Sequence, residues 1–299
     1  MRFVRNLMLI GAALIYLSNI ALAQGDIISA ADFMKLVKTD KSLVIIDASK
    51  KDSYTKMHIK NAVNIPHKTL YKEGGIEALI MEPADLAKIF GSKGVGNNSK
   101  IVVYDGGSQK YSSRVYWILK FLGAEDVRIL HKDMNEWRKV RVPITKMPSK
   151  INQKTFTPNV NISVYADIND VKNSKGIILD ARAADEFDGS ADNSEGHIPG
   201  ALNINYKDFL TESGAFKPKA EIESMLNKKG ISPSSSVIGY CRTSVRATVV
   251  YAAFVNVLGW NNFKVYDGAY AEWVAKNNKL QTKSGVSVSK KSGTASGGC

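Results

Sequence analysis

Short runs of consecutive aliphatic and β-branched residues recur along the chain, at Leu43–Ile46, Ile101–Tyr104, Ile177–Leu179 and Val237–Tyr240. They are too short for helices and lack the alternation of a half-solvated strand, so each predicts a strand buried on both faces. Between them lie longer stretches with apolar residues returning every three or four positions, such as ADFMKLV (31–37) and AEIESMLNKKG (220–230), which predict helices. Buried strands alternating with helices predict an α/β architecture, a parallel sheet covered by helices on both faces.

The whole pattern occurs twice. Tyr104 matches Tyr240, Gly123 matches Gly259 and Trp137 matches Trp273, all at an offset of 136 residues. Upstream, LVIIDASKKDSYTKMHIKNAVNIP (43–66) corresponds to GIILDARAADEFDGSADNSEGHIPGALNIN (176–205), with a short insertion in the later copy. The chain is therefore a tandem duplication. Between the copies, VPITKMPSKINQKTFTPN carries Pro143, Pro148 and Pro158 without apolar periodicity and predicts a linker. The expected organisation is a first domain over 25–145, a linker over 146–160 and a second domain over 161–282. A Ser-, Gly- and Lys-rich tail, 283–299, is expected to be flexible because it has too little apolar surface to fold.

The first residues change the picture of where the protein works. Arg2 and Arg5 precede an apolar stretch that closes on Ala21-Leu22-Ala23, which predicts a signal peptide over 1–23 cleaved near Ala23/Gln24 and a periplasmic or secreted product. An uncleaved anchor is the rival, but Leu7–Ala23 is interrupted by Ser18 and Asn19. With cleavage, no stable membrane insertion is expected. The formal charge of +13 favours small anionic substrates or acidic partners through the long-range field, or reflects dispersed solvated lysines. No Lys/Arg block is interleaved with aromatics, which argues against nucleic acid. Two cysteines, Cys241 and the terminal Cys299, exclude both a disulfide-stapled scaffold and a CxxC metal site.

Cys241 follows the apolar run Ser236–Tyr240 and precedes RATVVYAAFVNVLG, a helix pattern stopped by Gly259. A strand-to-helix turn there would surround the sulfur with the backbone N–H groups of Arg242, Thr243, Ser244, Val245 and Arg246. Helix N-termini stabilise a thiolate and any anion attached to it, and Arg242 and Arg246 add charge, so Cys241 reads as a nucleophile. Two arginines within five residues are poor core formers, which tells against an inert core cysteine.

Four motifs in order carry a resemblance. Cys241-x4-Arg246 after an apolar strand, DAR at Asp180–Arg182, EGHIPGALNI at Glu195–Ile204 and VYDGAYAEW at Val265–Trp273 resemble the rhodanese family, over roughly residues 26–282. The duplication resembles the tandem-domain sulfurtransferases that use thiosulfate or 3-mercaptopyruvate. That resemblance implies two rhodanese-like domains and a ping-pong cycle through a Cys241 persulfide, with a thiol or cyanide as acceptor. It assigns donor binding to Arg182, unless Arg182 pairs with Glu186 on the surface, and gives Asp180 a structural role beside it. Four residues between Cys241 and Arg246 match sulfur-handling members, whereas related phosphatases have five. The loop matches neither the thiosulfate-type nor the mercaptopyruvate-type pattern fully, and leans towards thiosulfate. No cofactor is implied.

In the first copy Asp105 stands where Cys241 does and Lys110 where Arg246 does, so that half is expected to be non-catalytic, supporting the second and walling the cleft. A ligand role for Asp105 stays open. His58 and His197 occur in both halves and are expected to be structural, as are Trp137 and Trp273. Cys299 resembles the end of a sulfur-carrier arm without its final glycines, and is either a relay for Cys241 sulfur or an incidental thiol. The rival functions are a non-enzymatic sulfane-sulfur carrier docking with an oxidation or assembly complex, and a phosphatase or arsenate reductase using the same thiolate cradle.

Overall fold

The computed structural model describes residues 25–107, 109–282 and 285–288. The expected signal segment, 1–23, and Cys299 lie outside them. Among the described residues no helix is long and apolar enough to cross a membrane.

The first half builds a parallel five-stranded sheet from β1 (Ile27–Ile28), β2 (Val44–Asp47), β3 (Ala62–Asn64), β4 (Ile101–Tyr104) and β5 (Val127–Leu130), in the order β1-β5-β4-β2-β3. The second repeats it with β6 (Tyr165–Ala166), β7 (Ile177–Asp180), β8 (Leu202–Asn203), β9 (Val237–Tyr240) and β10 (Phe263–Tyr266), in the order β6-β10-β9-β7-β8. The central strands β4 and β9 are buried along their whole length, as continuous apolar runs require. Both sheets carry helices on both faces, so the predicted architecture holds.

Small details are duplicated as well. The Tyr104 hydroxyl donates to Asp47 (2.6 Å) and accepts from the Ile59 amide (2.8 Å), and the Tyr240 hydroxyl likewise accepts from the Ile198 amide (3.1 Å). His58 and His197 stack on Tyr54 and Phe187 and donate through Nδ1 to those residues' carbonyls, 2.8 and 2.7 Å away. Trp137 and Trp273 each donate an indole N–H to a backbone carbonyl at 2.8 Å. All four are structural, as expected.

The halves share one core. α1 (Lys110–Phe121) packs against α2 (Ala247–Ala252), and one apolar cluster runs from Trp117 and Leu119 through to Val250 and Phe254. α2 is apolar all round and has to be buried, and α1 covers it with a face that also buries Ser112, Ser113 and Arg114. The helix pattern after Cys241 is met in two pieces, since a π-helical turn, Ala253–Leu258, continues α2 and ends on Gly259 in the left-handed region (φ 76°). The linker is clasped to the first half by Lys154 N–H to Gly91 O (3.0 Å), Asn159 N–H to Leu122 O (2.9 Å) and the buried Phe156.

One expectation is corrected. Within the segment expected to be a flexible tail, Gly285–Val288 is a strand that pairs antiparallel with Lys279–Thr282, and the other positions of that segment lie outside the described residues. The β-branched residues at 286 and 288 supply the strand preference that the Ser/Gly composition masks.

Candidate active site

Cys241 is the first residue after β9 and is fully buried. Its Sγ accepts the N–H of Arg246 at 3.3 Å. The 241–246 loop is held from outside: the N–H groups of Tyr270 and Ala271 donate to the carbonyls of Cys241 and Arg242, each at 3.0 Å. The Ser244 hydroxyl donates to the Tyr266 carbonyl, with Ser244 in the left-handed region (φ 61°). Among the described residues, the amides of Arg242, Ser244 and Val245 have no acceptor. With its carbonyls turned to the 267–271 segment, the loop is a cradle of N–H donors around the sulfur. Thr243 and Val245 are buried within it.

The first half shows what such a cradle holds. Asp105 Oδ1 accepts from the Gly107 amide (2.8 Å), and Oδ2 accepts from the amides of Tyr111 and Ser112 (both 2.9 Å) and from the Ser112 hydroxyl (3.1 Å). A carboxylate built into the chain fills the position equivalent to the Cys241 sulfur.

The arginines correct the expected donor site. Arg182 is 1% exposed, and its guanidinium donates to both oxygens of Asp180 (2.6–3.0 Å), to Ser194 Oγ (3.0 Å) and to Gly196 O (2.9 Å), with the Tyr270 ring 4.1 Å away. It is a buried brace between β7 and the insertion loop and is not free to bind a donor. Asp180, at the end of β7, accepts from the Arg182 amide (2.9 Å) and from its guanidinium. Glu186 pairs instead with Arg246, in a fork of 2.5 and 2.9 Å. Burial pushes the Glu186 carboxyl up, but the Arg246 hydrogen bonds and charge hold it below the ordinary range. Arg242 lies 3.5 Å from Glu77 of the first half and donates to Asn193 O at 3.2 Å.

Next to the loop, Thr243 and Val245 wall a cavity of about 360 Å³ whose other side is His67, Lys68, Tyr71 and Glu77 from the first half. The expected role of that half as a cleft wall is met here. None of these four residues was singled out by sequence reasoning. The signal available was Lys68 beside a histidine in the NIPHK run, directly after a strand. Among the described residues no group of His, Cys, Asp and Glu is arranged to hold a metal.

Comparison with known proteins agrees with this geometry. The family model described as a rhodanese-like domain matches residues 29–140 and 163–276. The thiosulfate sulfurtransferase of Gallus gallus is 30% identical over 212 residues, covering 68% of this chain and 73% of that one. The crystal structure of SseA from Escherichia coli, described among 3-mercaptopyruvate sulfotransferases, superposes with a TM-score of 0.72 at 25% identity, covering 82% of this chain and 99% of that one. Tum1 of Saccharomyces cerevisiae shares the fold, with a TM-score of 0.75 at 24% identity over 84% of this chain and 95% of that one.

Proposed function

Because the chain belongs to the rhodanese family, we propose that it is an exported sulfurtransferase that moves sulfane sulfur from thiosulfate to a thiol or cyanide through a persulfide on Cys241. The observation that carries this reading is the pair of equivalent loops. One is closed by the Asp105 carboxylate, and the other offers amide donors around a sulfur that has no charge of its own until it is a thiolate or persulfide. Two copies of one cradle, one permanently filled by an anion, make the empty one a site for an anion carried on sulfur.

The steps balance without a cofactor. The Cys241 thiolate attacks the outer sulfur of thiosulfate, the S–S bond of the donor breaks, and sulfite leaves with that bond's electron pair. The resulting persulfide is anionic and rests among the loop amides. Cyanide or a thiolate then attacks its terminal sulfur, and the Cys241 thiolate is returned. With 3-mercaptopyruvate the C–S bond breaks instead, and pyruvate leaves after its methylene carbon takes a proton. Residues 25–145, with no thiol at position 105, hold the cleft and contribute no nucleophile. The export reading rests on the first 23 residues.

Turnover tests it. Purified protein with thiosulfate and cyanide is expected to produce thiocyanate and sulfite in equal amounts, and Cys241→Ser to produce neither. Sulfur loading without turnover by any small acceptor would favour a carrier docking with a larger complex.

A further inference from the structure

The cavity beside the cysteine loop draws its charge from the non-catalytic half. Lys72 lines it but is 2.6 Å from Glu82, and Arg242 is matched by Glu77. Arg246 is matched by Glu186, and Arg182 is buried against Asp180. Lys68 lines the same cavity, and among the described residues no carboxylate lies within ion-pair distance of it. Its neighbour His67 is 1% exposed, stacked on Tyr111 at 4.1 Å, with Nδ1 2.7 Å from the Tyr71 hydroxyl. The His67 Nε2 is buried and has no partner among the described residues.

A buried ring nitrogen without a partner costs free energy, and because His67 lines the cavity, a ligand that displaced the atoms covering Nε2 would recover it. Burial, with the charges of Arg114, Lys68, Lys110 and Lys50, lowers the imidazole to about 3, so His67 is neutral at working pH. The Tyr71 hydroxyl also bonds the Arg114 guanidinium, which can only donate, so its O–H is assigned to Nδ1 and the ring proton to Nε2.

We propose that His67 and Lys68 form the recognition subsite for the oxyanion end of the sulfur donor, with Nε2–H and the ammonium as its two donors. This rests on the sulfurtransferase reading. The ligand class is a small sulfane or thiol donor bearing a sulfonate or carboxylate, which fits about 360 Å³. The catalytic half thus supplies the nucleophile and the non-catalytic half the counter-charge, in place of the buried Arg182.

Steady-state kinetics of Lys68→Met and His67→Phe, with thiosulfate and separately with 3-mercaptopyruvate, test the assignment. His67→Phe keeps the ring stacked on Tyr111 and removes the donor. Lys68 is exposed, so Lys68→Met keeps the test open if the histidine variant fails to fold. The expected result is a rise in KM of about tenfold for Lys68→Met, the size of a lost charge-assisted hydrogen bond. A smaller rise is expected for His67→Phe, with kcat unchanged in both and with preloaded persulfide reacting with cyanide at the wild-type rate. A rise with thiosulfate alone assigns the subsite to sulfonates, and a rise with 3-mercaptopyruvate alone assigns it to carboxylates. A wild type that turns over while both variants keep its KM overturns this assignment only. A wild type that turns over neither donor overturns the sulfurtransferase reading, and this assignment with it.

Discussion

The guanidinium of Arg114, in the first half, lies 2.6 Å from the carboxylate of Asp267, in the second, and both side chains are wholly buried. Asp267 also accepts the Ile80 amide (3.0 Å), and the segment it begins donates Tyr270 and Ala271 N–H groups to the loop of Cys241. The first half is therefore tied by two bonds to the residue heading the segment that holds the cradle. Removing one partner of a buried pair leaves an uncompensated charge, so Arg114→Met is expected to destabilise the protein by about 3–5 kcal/mol. Replacing both partners with apolar residues should cost much less than the sum of the single changes. Denaturant unfolding in a double-mutant cycle checks this, and additive costs would show that the pair is not coupled.

The Asp105 carboxylate stands in for an anion in its own loop. Asp105→Ala is expected to leave three backbone donors unpaired and cost about 1–3 kcal/mol. Added sulfate should then raise the melting temperature of the variant more than that of the wild type. Equal responses to sulfate would mean that the loop, emptied, does not bind anions.

Glu186 matches the charge of Arg246 at the edge of the cradle, where the proposed function brings an anionic donor. Glu186→Gln is expected to lower KM for thiosulfate by about threefold or more, by freeing Arg246 and removing a like charge. Its contribution to stability is present above the ordinary carboxyl range and is lost as pH falls through its depressed value, so the variant should also show a weaker acid dependence. A thiosulfate titration of the two proteins at one ionic strength decides the first part.

What the residue pattern discloses, and what it hides, divides along the line between local and long-range causes. The strands were legible because runs such as Val237–Tyr240 are buried on both faces, and the cysteine turn because a strand, a thiol and a helix pattern are contiguous. The duplication made the second sheet readable from the first. Arg182 was misassigned because its partner cannot be chosen by spacing: Glu186 lies four residues from it, yet pairs with Arg246, 60 residues away. Arg114, on α1, and Asp267, just after β10, are separated by 153 residues, and only the packing of the two halves brings them together. The strand at Gly285–Val288 was hidden by the composition around it.

Burial makes His67 a proton-linked group. Its imidazole titrates near 6.5 in the unfolded chain and at about 3 in the folded one, so between those values the unfolded chain holds the extra proton. Stability should fall as pH drops from about 6.5 towards 3, by up to ~1.4 kcal/mol per pH unit from this one group. His131 and His197, also lowered by burial, act in the same direction. In His67→Phe the slope of unfolding free energy against pH should flatten by up to one proton's worth, measured by urea unfolding from pH 7 to 4. An unchanged slope would contradict the buried neutral imidazole.

The central claim is that Cys241 carries the transferred sulfur. Peptide mass spectrometry of the protein after brief incubation with thiosulfate, with alkylation to trap persulfides, tests it most directly. The account predicts one added sulfur atom on the peptide containing Cys241, lost on addition of cyanide and absent from Cys241→Ser. No added sulfur, or sulfur found only on a peptide that lacks Cys241, would contradict it.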